Sequence, residues 1–176
     1  MSLQTDRGDR VDVARQEQFL AAHAACHDKV YRYFRRRTEG ASTAEDLCAE
    51  VFRIAWEKCR QDQDASVLVV FGIARNVLRN HYRSAVRSHN LTQQLERQRT
   101  HQLGSDDGMV QDALDRLKPE EREVLLLTYW DGFTSAEVSD LLNVTATAVR
   151  MRLHRARKEL SNLLRTDQTT EDASDE

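Results

Sequence analysis

The segment from Val67 to Arg87 separates its apolar and cationic residues with the period of an α-helix. At about 100° per residue, one arc of this helix collects apolar side chains. They are Val70, Phe71, Ile73, Ala74, Val77, Leu78 and Ala85. The opposite arc holds an arginine at every fourth position, at Arg75, Arg79, Arg83 and Arg87. The pattern predicts a helix that is anchored on one face and presents a row of cations on the other.

The rest of the chain contains few residues that interrupt helices, with one proline and six glycines among 176 residues. Helical periodicity recurs in a first block, 13–88, and in a second block, 109–165. Residues 1–12 form a polar lead, 89–108 a polar, Gln-rich linker, and 166–176 an acidic tail that we expect to be disordered. We therefore expect an all-α chain in which two small helical domains are joined by a flexible linker.

The second block ends with a short helix, a tight turn and a longer basic helix. The short helix is "TSAEVSDLL" with Thr134 as its cap, the turn is "NVT", and the basic helix is "TATAVRMRLHRARKEL". This order is the helix-turn-helix pattern, in which the second helix enters the major groove of duplex DNA. A solvated basic face on a purely structural helix is the alternative.

Position along the basic helix divides its residues into two candidate groups. Residues near the N-terminus of such a helix reach base edges, and arginines further along meet phosphates or pack. The first group is Thr145, Thr147, Ala148, Arg150 and Met151, and the second includes Arg152 and Arg155. In the first block, Ser42 or Thr43 is the expected cap of the helix that follows Gly40.

The formal net charge of −3 hides local patches of opposite sign. Residues 150–158 carry five bases and no acid, whereas the last ten residues carry five acids and no base. A polyanion such as DNA meets the local patch rather than the net charge. The acidic tail is either plainly solvated or screens the basic helix within the molecule.

Hydropathy argues against a membrane protein. No apolar run approaches the roughly 20 residues that span a bilayer. The N-terminal stretch "MSLQTDRGDRVDVARQ" lacks the hydrophobic core of a signal peptide. We expect no membrane insertion and a cytoplasmic location.

Residue types that carry chemistry are present without a constellation that uses them. Cys26, Cys48 and Cys59 are odd in number and form no CxxC pair, so we expect reduced, buried or half-buried thiols. His23 and His27 share "HAACH" with Cys26, but these three ligands have no obvious fourth, and we predict no metal site. There is no Gly-rich phosphate loop and no paired acid–base arrangement, so we expect no cofactor and no enzymatic activity.

Two stretches together resemble bacterial sigma factors of the sigma-70 family, in particular the extracytoplasmic-function (ECF) group. "ALDRLKPEEREVLLLTYWDGFTSAEVSDLLNVTATAVRMRLHRARKEL" is similar to their fourth conserved region. "AEDLCAEVFRIAW" followed by "FGIARNVLRNHYRSAVR" is similar to their second conserved region. The resemblance implies an alternative sigma factor that binds core RNA polymerase and promoter DNA and directs transcription initiation. It also implies an anti-sigma factor as a partner.

The resemblance assigns residues to three surfaces, two for DNA and one for polymerase. The second region would melt and hold the −10 element with Arg60, Arg75, Asn76, Arg79, Asn80 and Arg83. The fourth region would read the −35 duplex with Thr145, Thr147, Ala148, Arg150, Met151, Arg152 and Arg155. Polymerase core would contact Asp46, Leu47, Glu50, Val51 and Phe52, although packing inside the domain is the alternative for Leu47 and Val51. The polymerase-facing pair Asp46 and Glu50 is favoured because charged residues are rarely buried unpaired.

Some positions depart from the pattern of the family. Val69 and Val70 stand where tryptophan and leucine are frequent, Thr147 where glycine is frequent, and Met151 where serine is frequent. Methionine cannot donate a hydrogen bond to a base but can contact a thymine methyl group. The promoter sequences of well-known members therefore do not transfer to this chain.

Two other functions compete with the sigma-factor interpretation. The first is a stand-alone helix-turn-helix regulator, which binds operators without polymerase and has no need of "AEDLCAEVFRIAW". The second is a degenerate, sigma-like interaction protein that sequesters another factor. The retained arginines in both blocks argue against the second.

Overall fold

The computed structural model describes the backbone of residues 3–61, 65–91 and 105–172, and the side chains of 13–61, 65–86 and 109–166. The chain forms two compact units, Met1–Arg97 and Gln98–Glu176. Every regular element in the described ranges is helical. The prediction of an all-α chain with two helical domains is confirmed. None of the described helices is both long and apolar enough to cross a membrane.

The first unit is a bundle of three helices, α1 (Leu3–Arg35), α2 (Ala41–Arg60) and α3 (Val67–Leu91). Each helix contacts the other two. The centre of the bundle is aromatic, since Phe71 on α3 meets Tyr33 on α1 edge-to-face with ring centroids 5.7 Å apart. The predicted apolar arc of α3 is buried from Val70 to Leu78. The same arc is exposed at Ala85, because the core ends before that turn of the helix.

The boundaries of the first unit differ from the prediction at both ends. Helix α1 begins at Leu3, so most of the expected polar lead 1–12 is helical. Helix α3 continues to Leu91, past the expected end of the block at residue 88. Helix α2 follows Gly40, whose φ of 81° turns the chain sharply, and no side chain caps it. Ser42 and Thr43 therefore lie inside the first turn of α2 and are not its caps.

Two glycines of this unit should respond to alanine in opposite ways. Gly72 lies inside α3, and a Cβ built there meets no atom within 4 Å. We expect Gly72→Ala to raise the free energy of unfolding by about 0.5–1 kcal/mol, since alanine restricts the unfolded chain and favours helix. Gly40→Ala is the matched control and should lower it by about 1–3 kcal/mol, because its φ of 81° and ψ of 146° suit only glycine. Urea unfolding followed by circular dichroism measures both; a destabilised Gly72→Ala would contradict the expectation.

The second unit contains α4 (Ser105–Arg116), α5 (Pro119–Leu125), a π-helical turn (Leu126–Trp130), α6 (Ser135–Leu142) and α7 (Ala146–Asp172). Helix α7 contacts α4, α5 and α6 and so forms the spine of the unit. The core collects the apolar faces of all these elements. Its fully buried members include Ala113, Val124, Leu127, Val138, Val149 and Ala156.

The acidic tail is helical over much of its length, contrary to the expected disorder from residue 166. Helix α7 continues to Asp172 because neither glycine nor proline occurs between Val144 and that residue. Residues 173–176 lie outside the described part of the chain. The same holds for 92–104, so the flexibility of the linker remains a prediction.

Candidate nucleic-acid interface

The helix-turn-helix of the second unit is fixed by three polar contacts at its helix ends. The Thr134 hydroxyl accepts a hydrogen bond from the Glu137 backbone N–H at 3.3 Å, and the Glu137 carboxylate accepts from the Thr134 backbone N–H at 2.8 Å. This capping box confirms Thr134 as the cap of α6. The same hydrogen bond to the backbone N–H lowers the pKa of Glu137. Asn143 ends α6 with a left-handed φ of 53°, and the Thr145 hydroxyl accepts from the Ala148 N–H at 3.1 Å as α7 begins.

Helix α7 is buried along one stripe and open along the rest of its N-terminal half. Val149, Leu153 and Ala156 are buried. The residues predicted to read the −35 element lie off this stripe. Thr145, Thr147, Arg150, Met151 and Arg155 are exposed, whereas Ala148 and Arg152 are half-buried. The exposed set is available to a ligand of the size of a major groove, and its DNA contacts remain a prediction.

A π-helical turn joins α5 to the loop before α6. The Asp131 N–H donates to the Leu126 carbonyl at 3.0 Å, which closes the wider π ring. The turn leaves Tyr129 54% exposed, so Leu126 rather than Tyr129 fills the core at this point. The Arg157 guanidinium donates to the Tyr129 hydroxyl at 3.2 Å and ties this turn to α7. Arg157 thus has a packing role in the free protein.

An ion pair that the sequence did not suggest braces the same unit. Arg122 on α5 and Asp115 on α4 approach to 2.7 Å, and the Asp115 side chain is only 9% exposed. The two residues belong to different helices on either side of Pro119, so helical periodicity carries no sign of the pair. The pair fixes α4 against α5 and thereby supports the helices that α7 packs on.

The cationic face of α3 is present as predicted. Asn76, Arg79, Asn80 and Arg83 are exposed, and Arg75 is half-buried. The Arg79 guanidinium donates to the Asn76 side-chain carbonyl at 2.9 Å, so arginine and asparagine already form one polar row. The side chain of Arg87 lies outside the described set.

Arg60 stands on a different element from the rest of the predicted −10 set. It is the last residue of α2, is exposed, and pairs with Glu57 at 3.3 Å. Residues 62–64 of the following loop lie outside the described part of the chain. The assignment of Arg60 to DNA therefore has less structural support than that of the α3 row.

The predicted polymerase surface on α2 is split by burial. Asp46 is exposed, and Leu47 and Glu50 are half-buried. Val51 and Phe52 are only 0% and 7% exposed. These two residues form part of the core, and their assignment as direct polymerase contacts is wrong for the domain as folded. Because an i, i+4 pattern of apolar residues marks the inner face of a helix, burial was the reading to prefer for both.

Glu50 is held in place by a neighbour on the same helix. The Arg53 guanidinium donates to both carboxylate oxygens of Glu50 at 2.8 Å. These hydrogen bonds lower the pKa of Glu50. The pair is a fixed, charged feature of the outer face of α2.

Thiols and histidines of the first unit serve packing. Cys26, Cys48 and Cys59 are buried and free, as expected. Burial raises the pKa of Cys48 to about 11, which keeps the thiol protonated at neutral pH. Within the described residues, no group of three or more potential ligands could hold a metal ion. His23 instead stacks on Phe52, with ring centroids 4.5 Å apart, and burial together with His27 lowers its pKa.

The fold and the geometry of α6 and α7 define an all-helical, two-unit protein of the helix-turn-helix class. Comparison with family models matches "Sigma-70 region 2" to residues 23–88 and "Sigma-70, region 4" to residues 107–160. The ECF RNA polymerase sigma factor BldN of Streptomyces coelicolor is 27% identical over 172 residues. That alignment covers 90% of this chain and 65% of BldN.

Solved structures agree on the fold. CnrH, in complex with the cytosolic domain of CnrY, has a TM-score of 0.68 at 24% identity, over 90% of this chain and 95% of that one. The sigma factor RpoE of Bartonella quintana, in complex with the anti-sigma factor NepR, has a TM-score of 0.63 at 21% identity, over 86% of this chain and 97% of that one. The chain belongs to the sigma-70 family of RNA polymerase sigma factors, in its ECF group.

Proposed function

We propose that this chain is an alternative sigma factor that binds core RNA polymerase and directs it to promoters. One observation carries the proposal. The two family regions occur in order on two separate helical units, and each unit exposes a basic helix face, on α3 and on α7. A transcription initiation factor of this kind contributes recognition rather than catalysis, so we propose no enzymatic activity. Its working place is then the cytoplasm, with the polymerase and the DNA.

The second unit supports recognition of duplex DNA at the −35 element. A helix fits the major groove of B-DNA, and its first turns approach the base edges. In α7 these turns expose Thr145, Thr147, Arg150 and Met151. Arginine can donate two hydrogen bonds to a guanine, and the Met151 side chain can contact a thymine methyl group. Arg152 and Arg155 then serve phosphates on the flank.

The first unit supports capture of the −10 element as a single strand. Single-stranded DNA binds along a cationic track, and polar groups beside it meet base edges. Arg75, Arg79 and Arg83 supply the track, and Asn76 and Asn80 supply amide groups between them. The Arg79–Asn76 hydrogen bond orders two of these groups before DNA arrives.

Docking on polymerase falls to the outer face of α2. Asp46, Leu47 and Glu50 remain candidates once Val51 and Phe52 are assigned to the core. The fixed Glu50–Arg53 pair presents both signs of charge on this face. We further propose that the chain has an anti-sigma partner, since RpoE is similar in fold and its structure is a complex with an anti-sigma factor.

The proposal is tested by mixing the full chain with core RNA polymerase and genomic promoter fragments. We expect a stable complex on gel filtration and run-off transcripts that core alone does not produce. Failure to form the complex would overturn the proposal. Tight binding to duplex fragments without polymerase, and no transcripts with it, would support the stand-alone regulator instead.

A further inference from the structure

Tyr82 is a half-exposed aromatic ring at the edge of the cationic face of α3. It is 47% exposed, while the other ring of this helix that lies in the bundle, Phe71, is fully buried. At about 100° per residue, Tyr82 lies about 20° from Arg75 around the helix and about 60° from Arg79. Val86, one turn further on the same side, is 60% exposed. Apolar surface thus adjoins the arginine row where burial in the core would be expected.

The ring of Tyr82 is fixed from a second element. Its hydroxyl donates a hydrogen bond to the carbonyl of Arg37, which lies in the turn after α1. Arg37 is itself fixed, because its guanidinium carbon lies 3.8 Å from the centroid of the Tyr33 ring and its Nη1 donates to the Tyr33 carbonyl at 3.2 Å. Tyr33 is 1% exposed. A chain of contacts therefore connects Tyr82 to the core and restrains the position of its ring.

We propose that the Tyr82 ring is a stacking platform for a base of single-stranded DNA, so that the strand track runs from the α3 arginines across Tyr82 toward the turn at Arg37. The proposal rests on the proposed function, in which α3 holds a DNA strand. Proteins that hold single strands combine a cationic track with aromatic rings on which bases stack. On α3, arginines and asparagines alone provide charge and hydrogen bonds, and Tyr82 provides the π face that they lack.

Rigidity of the ring is what makes this position suited to stacking. A side chain that is already ordered loses little conformational entropy when a base lies on it. The hydroxyl is occupied by the Arg37 carbonyl, and about half of the side chain remains open to solvent. The competing explanation is a purely structural link between α3 and α1, in which the hydroxyl matters and the exposed ring does not.

Two substitutions separate the ring from the hydroxyl. Tyr82→Phe keeps the ring and removes the hydrogen bond, whereas Tyr82→Leu removes the ring and keeps an apolar side chain. The probe is a fluorescein-labelled, 12-nucleotide single-stranded DNA of randomised sequence, since stacking on an aromatic ring tolerates any base. Binding to the holoenzyme is followed by anisotropy over a series of salt concentrations, with core alone as the blank and Arg79→Ala as the reference variant. Thermal unfolding of each variant shows whether the first unit remains folded.

We expect Tyr82→Leu to weaken strand binding on the order of tenfold, and Tyr82→Phe to remain within about twofold of wild type. The dependence of log affinity on log salt should keep its slope in Tyr82→Leu, because no phosphate contact is lost. It should become shallower by about 0.7 in Arg79→Ala, which loses one cation.

Other results would overturn the stacking role. Equal losses in Tyr82→Phe and Tyr82→Leu would assign Tyr82 to structure. Wild-type affinity in Tyr82→Leu together with weakened Arg79→Ala would remove Tyr82 from the track and leave the proposed function intact. No strand binding beyond that of core alone by the wild-type holoenzyme would overturn both.

Discussion

Replacing Phe71 by alanine should remove about 3–5 kcal/mol from the free energy of unfolding of the first unit. The side chain is fully buried, and its ring meets Tyr33 edge-to-face at 5.7 Å. The substitution deletes this contact and leaves a cavity where α1 and α3 meet. Since small domains have only about 5–15 kcal/mol of stability in total, this change should leave the unit partly unfolded near room temperature. Leu20→Ala, at a side chain that is 54% exposed, is the control and should stay within about 0.5 kcal/mol of wild type.

The distribution of tryptophan allows this loss to be localised. The chain has two tryptophans, Trp56 in the first unit and Trp130 in the second. In a Trp130→Phe background, urea unfolding followed by fluorescence reports on the first unit alone. We expect Phe71→Ala to shift this transition and to leave unchanged the transition of a matched Trp56→Phe protein. A loss below about 1 kcal/mol would show that the Phe71 ring is not part of the core.

Reversing the charge of Arg150 should weaken binding to a −35 duplex on the order of 10- to 100-fold. Arg150 is exposed on the second turn of α7, and a base-directed arginine contact is worth about 1–3 kcal/mol. A glutamate there also meets the phosphates with the wrong sign. The affinity is measured with holoenzyme and a duplex taken from a promoter that run-off transcription identifies.

Lys158→Glu is the matched control for Arg150→Glu. It makes the same change of charge on the same helix at another exposed residue, about 12 Å further along the axis. Because the N-terminal turns of a recognition helix carry the base contacts, we expect a loss of at most about threefold. Equal losses in the two variants would indicate that α7 attracts DNA only through its overall charge.

Periodicity and turn chemistry were sufficient for the fold. The apolar arc from Val70 to Leu78 is buried, and the Thr134 cap forms with Glu137 as its partner. Both are local signals, in which the residues that decide the structure lie within a few positions of each other. The row of cations opposite the arc followed directly, because one face of an amphipathic helix is open when the other is anchored.

Features that depend on contacts between distant residues could not be predicted in this way. The Arg122–Asp115 pair and the hydrogen bond from Tyr82 to Arg37 join separate helices. The acidic composition of the tail suggested disorder, but composition does not end a helix that already has 20 residues of α7 before it.

Burial decides between two roles for the same residues on α2. Val51 and Phe52 matched positions that resemble a polymerase contact, yet they pack inside the unit. A motif assigns residue types to a helix, and the distinction between its inner and outer face requires the neighbouring helices. Asp46 and Glu50, which the charge argument favoured, remain on the outer face.

The central claim is that the two units read two forms of DNA, and it is tested by crossing two variants with two probes. Holoenzymes that carry Arg79→Ala or Arg150→Ala are compared on a −35 duplex and on a −10 fragment with a premelted bubble and no −35 element. We predict that Arg79→Ala loses affinity for the bubble and keeps the duplex, and that Arg150→Ala does the reverse. Equal loss on both probes by either variant would contradict the division of labour between α3 and α7.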